Sequence, residues 1–132
     1  MKLGGDVSIV GLGVDLINVD RIRKIFLIYR NKFARKILSD KEMKEYENQK
    51  DKAGFLAKRF CAKEAISKAL GTGFKMGVHF NQLEILHEKT GKPFINLLGD
   101  SRSRFKFLGA RNAEISITDD REYVCSVVIV EG

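Results

Sequence analysis

Between Phe55 and Gly73 the chain reads FLAKRFCAKEAISKALGTG, and apolar or small residues fill nearly every gap on its helical wheel. No broad solvated stripe remains, and a helix that is apolar almost all round is enclosed by the rest of its fold. The segment predicts a helix of about four turns that ends in the Gly71-Thr72-Gly73 turn. Glu64 and Lys68 fall about 40° apart, one turn along the same face. Ala57, Phe60 and Cys61 sit beside them, while Lys58, Arg59 and Lys63 lie elsewhere on the wheel. Charge on an enclosed helix is costly unless it is paired or binds an ion. Two explanations stay open. One is an i,i+4 ion pair contributing only ~0.2–0.5 kcal/mol; the other is a site.

Other elements must surround this helix. Val7 to Leu16 alternates as a strand, with Val10, Leu12, Val14 and Leu16 on one face and Ile9, Gly11, Gly13 and Asp15 on the other. Glycine inside a strand marks close approach by another backbone or a ligand. Gly11 and Gly13 therefore either admit a tightly packed helix or clear a cleft that Asp15 overlooks. Val19 to about Lys36 reads as a basic helix. Ser39 and Glu42 have capping-box spacing for a helix through Glu47. Short strands at Leu83–His87 and Phe94–Leu98 flank a turn at Thr90-Gly91-Lys92-Pro93, and Asp100–Leu108 reads as a short basic helix. Glu114–Thr118 and Glu122–Val130 form a closing hairpin. The last strand is apolar on both faces, with Tyr123, Cys125, Val127 and Ile129 opposed to Val124, Val128 and Val130. That pattern points to an oligomer interface. The order predicts a single α+β domain over residues 1–132: an N-terminal strand, helices, then antiparallel strands.

Composition narrows the partners. A net charge of +7 favours an anionic one: nucleic acid, a phosphorylated small molecule, a membrane surface or an acidic protein. No apolar run approaches the ~20 residues of a membrane span. Lys2 is followed by Asp6 without the apolar block of a secretory signal, so a cytoplasmic protein is expected. Cys61 and Cys125 lack metal-ligand spacing and read as free thiols, and His79 and His87 as isolated structural histidines.

Asp15 and Glu64 stand on different elements. If the strand end meets the helix face, they could share a hard divalent cation such as Mg²⁺, which takes one or two carboxylates plus waters and substrate phosphates. Lys68 would then reach a phosphate held by that ion. The Gly71–Gly73 turn is either a helix C-cap or a phosphate cradle of backbone N–H groups. Its place at a helix C-terminus, where the macrodipole disfavours anions, favours the cap. There is no P-loop and no GxGxxG fingerprint. These parts suit phosphoryl-type transfer. The competing class is a basic nucleic-acid-binding domain resting on Arg21 to Lys36. It lacks an RNP motif, zinc finger or helix-turn-helix, and Phe26, Tyr29 and Phe33 have core spacing.

Four motifs then carry a resemblance: Gly11-Leu12-Gly13-Val14-Asp15-Leu16 followed by Val19-Asp20-Arg21-Ile22; Arg59-Phe60-Cys61-Ala62-Lys63-Glu64-Ala65 followed by Ser67-Lys68-Ala69-Leu70-Gly71-Thr72-Gly73; Gly91-Lys92-Pro93; and Ile115-Ser116-Ile117-Thr118-Asp119. In order and spacing the chain resembles, over nearly its whole length, the holo-acyl-carrier-protein synthases, the small bacterial type of 4′-phosphopantetheinyl transferase. The resemblance implies that fold and Mg²⁺-dependent transfer of phosphopantetheine from coenzyme A to a serine of apo-acyl-carrier protein, releasing adenosine 3′,5′-bisphosphate. It implies a homotrimer with active sites between subunits, and neither nucleic acid nor membrane as partner. By motif position, Asp15 and Glu64 are metal ligands, and Glu64 and Lys68 the catalytic pair, with Lys68 on the diphosphate. Arg59, Gly71, Thr72, Gly73 and Pro93 meet the nucleotide end of coenzyme A, and Arg21 meets the acidic carrier protein. Which group activates the acceptor serine is left open. Glu114 stands where many members carry a histidine, and it should turn to solvent or pair with a neighbouring cation.

Overall fold

The computed structural model describes residues 6–132; Lys2, and with it the expected lack of a leader, lies outside them. The elements run β1 (Ile9–Asn18), α1 (Val19–Tyr29), α2 (Asn31–Ile37), α3 (Asp40–Glu47) and α4 (Lys52–Ala69). A 3₁₀ turn (Phe80–Gln82), β2 (Leu83–His87), β3 (Pro93–Leu97), α5 (Gly99–Phe107), β4 (Asn112–Asp119) and β5 (Tyr123–Glu131) complete the chain. The arrangement is the expected α+β one. An antiparallel sheet has the order β1-β5-β4, and β2 and β3 form a separate hairpin.

α4 is the enclosed helix. Leu56, Ala57, Cys61, Ala62, Ala65 and Ile66 are all at most 1% exposed. One side packs on β1 and β5, the other on α1, α2, α3 and β2. One apolar cluster gathers Ile17, Ile22, Ile37 and Tyr46 around the N-terminal half of α4. A second gathers Leu70, Val78, Leu83, Ile85 and Val128 around its C-terminal half. Each fully buried Leu or Ile contributes about 1.5–3 kcal/mol.

Gly11 and Gly13 resolve toward close packing. A Cβ on Gly11 would run into the Ala69 carbonyl oxygen, and one on Gly13 into the Ala65 carbonyl oxygen. The same closeness delivers Asp15, two residues on and on the same face, to α4. A register shift between Ile9 and Gly11 alters the expected faces. Val10 packs into the core instead of sharing the face of Leu12, and Ile9 is exposed. Leu12, Val14 and Leu16 are 60%, 48% and 62% exposed, so the outer face of this sheet is apolar and uncovered within one chain.

The single basic helix expected from Val19 to Lys36 is two. Arg30 adopts φ 51°, ψ −131°, its N–H donates to Phe26 O, and α2 starts afresh at Asn31. The break lets Ile22 on one helix and Ala34 and Ile37 on the next all reach the core.

The deepest charges are not the expected ones. The capping box forms, with Ser39 N–H donating to Glu42 Oε1 at 3.0 Å and Glu42 N–H to Ser39 Oγ at 3.2 Å. Yet Glu42 is wholly buried. It also accepts from the Ile85 N–H at 3.2 Å and from Lys63 Nζ at 2.5 Å, and Arg59 Nε lies 3.3 Å from it. Lys63 is 0% exposed, and burial pushes its ammonium down to about 8, with Glu42 opposing that shift. The acceptors around its Nζ favour the charged form against that burial.

Candidate active site

β1 and α4 bring Asp15, Glu64 and Lys68 together. Lys68 Nζ donates to Asp15 Oδ1 and to the Val14 carbonyl, both at 3.0 Å. The helical Glu64–Lys68 pair does not form: among the described residues Glu64 has no ion-pair partner, and Lys68 turns to the strand. Asp15 Oδ2 is buried without a hydrogen-bond partner among the described residues. Burial raises the pKa of Glu64, the charge of Asp15 raises it further, and Lys68 and Arg21 oppose the shift. Two crowded carboxylates, one with an orphaned oxygen, form a donor set that fits a hard divalent cation. No group of three His, Cys, Asp or Glu suited to a metal occurs among the described residues. Such an ion would therefore take its other oxygens from water and substrate.

Arg21 is exposed at the start of α1, its guanidinium carbon 6.0 Å from the centroid of the Phe60 ring. Beside Phe60 lies an open groove of about 480 Å³, walled by Ile25 and Phe33 and edged by Lys32 and Lys36. Phe60, Glu64 and Lys68 succeed one another at four-residue intervals along α4, so groove, carboxylates and ammonium lie in line, about 6 Å per step.

Gly71 and Gly73 have φ of 75° and 55°. The N–H of Gly71 donates to Lys68 O, and those of Thr72 and Gly73 donate to Ser67 O. All three are spent on capping α4, so the cap reading holds and any contact with a ligand uses other atoms. The Thr72 hydroxyl donates to Gly73 O at 2.8 Å. Arg104 of α5 donates from Nε to Leu70 O at 2.9 Å and lies beside Gly71. A cation thus sits at the negative end of α4 and offsets the macrodipole there. The sequence showed a basic helix in this region but not which arginine reaches back.

Pro93 opens β3 opposite His87. Glu114 pairs with Lys92 at 3.4 Å while both remain about half exposed. Arg59 is not gathered with Asp15, Glu64 and Lys68. It is 4% exposed, bonded to Glu45 at 3.1 Å, with its guanidinium 4.4 Å from the Phe55 ring centroid.

Comparison with known proteins identifies the family and the fold. Residues 11–128 match the 4′-phosphopantetheinyl transferase superfamily. The chain is 45% identical over 130 residues to the holo-[acyl-carrier-protein] synthase of Wigglesworthia glossinidia brevipalpis, covering 95% of this chain and 94% of that one. The holo-[acyl-carrier-protein] synthase structure from Neisseria meningitidis superposes with a TM-score of 0.87 at 32% identity, covering 95% of this chain and all of the other. The Helicobacter pylori enzyme, solved in complex with coenzyme A, superposes with a TM-score of 0.78 at 28% identity over 90% of this chain and 98% of that one.

Proposed function

The chain belongs to the 4′-phosphopantetheinyl transferase superfamily, among its holo-[acyl-carrier-protein] synthases, and from that premise we propose that it moves 4′-phosphopantetheine from coenzyme A to an acyl-carrier-protein serine with Mg²⁺, releasing adenosine 3′,5′-bisphosphate. The observation that carries the Mg²⁺ reading is the meeting of Asp15 and Glu64, with Asp15 Oδ2 left without a partner. These carboxylates would hold the ion, which when bound neutralises the diphosphate and polarises the phosphorus to be attacked.

The line along α4 supports a division of labour. The groove at Phe60 and the basic residues Arg21, Lys32 and Lys36 suit an acidic carrier protein. Lys68, which bridges to Asp15, would stabilise charge on the departing phosphate. Thr72, Gly73 and Pro93 would meet the nucleotide end, with Gly73 facing open space. Arg59, tied to Glu42 and Glu45, would act there chiefly through the elements it braces.

A homotrimer with sites between subunits is part of the same proposal. The uncovered face of Leu12, Val14 and Leu16, lying against Ile129, Val127 and Cys125 of β5, is what such an assembly would bury. A cytoplasmic setting follows from the proposed substrates. Native mass spectrometry should report three chains, and Leu16→Glu should give monomers; a monomeric wild type would refute the assembly.

The direct experiment incubates the protein with apo-acyl-carrier protein, coenzyme A and Mg²⁺ and reads the carrier by intact mass. The carrier should gain phosphopantetheine, and chelation of Mg²⁺ should stop the reaction. An unmodified carrier would overturn the proposal.

A further inference from the structure

Lys63 is adjacent in sequence to Glu64, yet its ammonium points the other way. It is 0% exposed. An ammonium has three N–H donors, and Nζ lies 2.6 Å from Ile37 O, 2.5 Å from Glu42 Oε1 and 3.0 Å from Phe80 O. The first acceptor is an otherwise orphaned carbonyl at the C-terminus of α2, where a cation is favoured. The second belongs to α3 and the third to the 3₁₀ turn before β2. One side chain of α4 therefore ties three separate elements to the helix that carries Glu64 and Lys68.

Two of the tied residues, Ile37 and Phe80, also wall the groove beside Phe60. The Phe80 ring stacks on Phe60 with centroids 5.2 Å apart, and Phe60 lies one turn before Lys63. Groove walls and carboxylates thus share a single fixed reference. If either wall moved, a partner seated in the groove would meet Glu64 at a different distance.

We propose that Lys63 is a positioning residue for the acceptor: by holding the Ile37 and Phe80 carbonyls it sets the groove's walls relative to Glu64, and so aligns the carrier serine with the reacting phosphorus. This rests on the transferase reading given above. Lys63 touches neither substrate. Its contribution is to register, and misplacing reactants by about 1 Å can cost on the order of 10²-fold in rate.

Lys63→Met alone would strand the buried Glu42 carboxylate and lower stability for that reason. The test therefore adds Lys63→Met/Glu42→Gln, which removes both charges while Arg59 keeps Glu45 as its partner. The double variant should melt closer to wild type than Lys63→Met does. Its kcat/KM for apo-carrier protein should still fall about 10- to 100-fold, with the KM for coenzyme A changed less than twofold. Hydrogen exchange should quicken at residues 33–38 and 78–83 and stay unchanged at 9–18. Recovery of carrier kcat/KM along with melting temperature would overturn the proposal, as would a KM for coenzyme A that rises as much as carrier kcat/KM falls. Failure of both variants to fold would assign Lys63 to stability alone and equally overturn it. Wild-type protein that modifies no carrier would instead refute the underlying transferase reading.

Discussion

Gly13→Ala tests the contact on which both fold and site depend. The new methyl group would run into the Ala65 carbonyl oxygen and lie 2.8 Å from Ala69 N and 2.9 Å from Ala65 C, where ordinary contact begins at 3.4 Å. All three atoms are backbone. β1 cannot tilt away freely, because it is paired to β5 from Ile9 to Asn18. The Ala65 oxygen is the closest of the three, so strand and helix must part by at least about 1 Å at this point. Overpacking of this kind costs about 1–3 kcal/mol. For a chain of this size the melting temperature should drop by roughly 4–12 °C. Asp15 lies two residues on, on the same face, so the same displacement opens the Asp15–Glu64 approach and should cost transfer on the order of 10²-fold. Gly11→Ala meets Ala69 in the same way but four residues from Asp15, and it should lose similar stability with less activity. Thermal melts by circular dichroism and transfer read by intact mass measure the two effects. Wild-type stability and rate in Gly13→Ala would refute the idea that this approach sets the site.

Asp15→Ala and Glu64→Gln should each abolish Mg²⁺-dependent transfer without loss of melting temperature, since either relieves two crowded carboxylates; near-normal rates in one would remove that residue from the ion's ligands. Arg21→Asp should raise the KM for carrier protein, more at low salt than at high, and leave coenzyme A binding nearly intact; steady-state kinetics at two ionic strengths would expose the opposite pattern. Lys68→Ala and Lys68→Met should lower turnover on the order of 10²- to 10³-fold. Stability should fall only modestly, because the Lys68 side chain is 52% exposed, although Asp15, at 14%, loses its donor. Lys68→Arg should rescue poorly, since a planar fork replaces a compact ammonium, and unchanged turnover would leave Lys68 as a helix-to-strand tie.

What the sequence revealed was local or periodic. The enclosed helix, the Ser39–Glu42 box, the closing hairpin and the glycine-emptied strand each carry their signal within a few residues. Arg30 carried none, because a positive φ in a non-glycine residue is imposed by the helices on either side. The register shift at Ile9 was hidden for a similar reason: a bulge is set by the partner strand, and it exchanges the faces of Ile9 and Val10. The site divided the same way. Asp15 and Glu64 stood out as carboxylates where an apolar pattern predicted none. The true partner of Lys68 lay 53 residues away, and an i,i+4 neighbour was the only one the sequence could offer. Glu42 was legible as a capping residue but not as the buried anion of Lys63 and Arg59, because that role depends on three elements folding around it.

The partnerless oxygen of Asp15 has a thermodynamic consequence. A buried polar atom left unsatisfied costs about 1–3 kcal/mol, more when it is charged. Here it sits beside a second carboxylate whose proton affinity is raised by burial and by Asp15 itself. Lys68 satisfies only Oδ1. A purely structural Asp15 would gain from a second donor, and the cross-strand neighbour Ser126, whose buried hydroxyl is also unpaired, does not supply one. The local instability is consistent with a place kept for a cation, and a ligand that binds only the folded chain raises stability by mass action, about 2.7 kcal/mol at a hundredfold excess over its Kd. Mg²⁺ alone, without coenzyme A, should therefore raise the melting temperature, and the rise should saturate. It should shrink as pH falls and Glu64 takes up a proton, since a neutral carboxyl binds the ion poorly. Asp15→Ala should melt at the same temperature with or without Mg²⁺. If wild type and Asp15→Ala respond equally, the ion is bound elsewhere and the two carboxylates hold no metal.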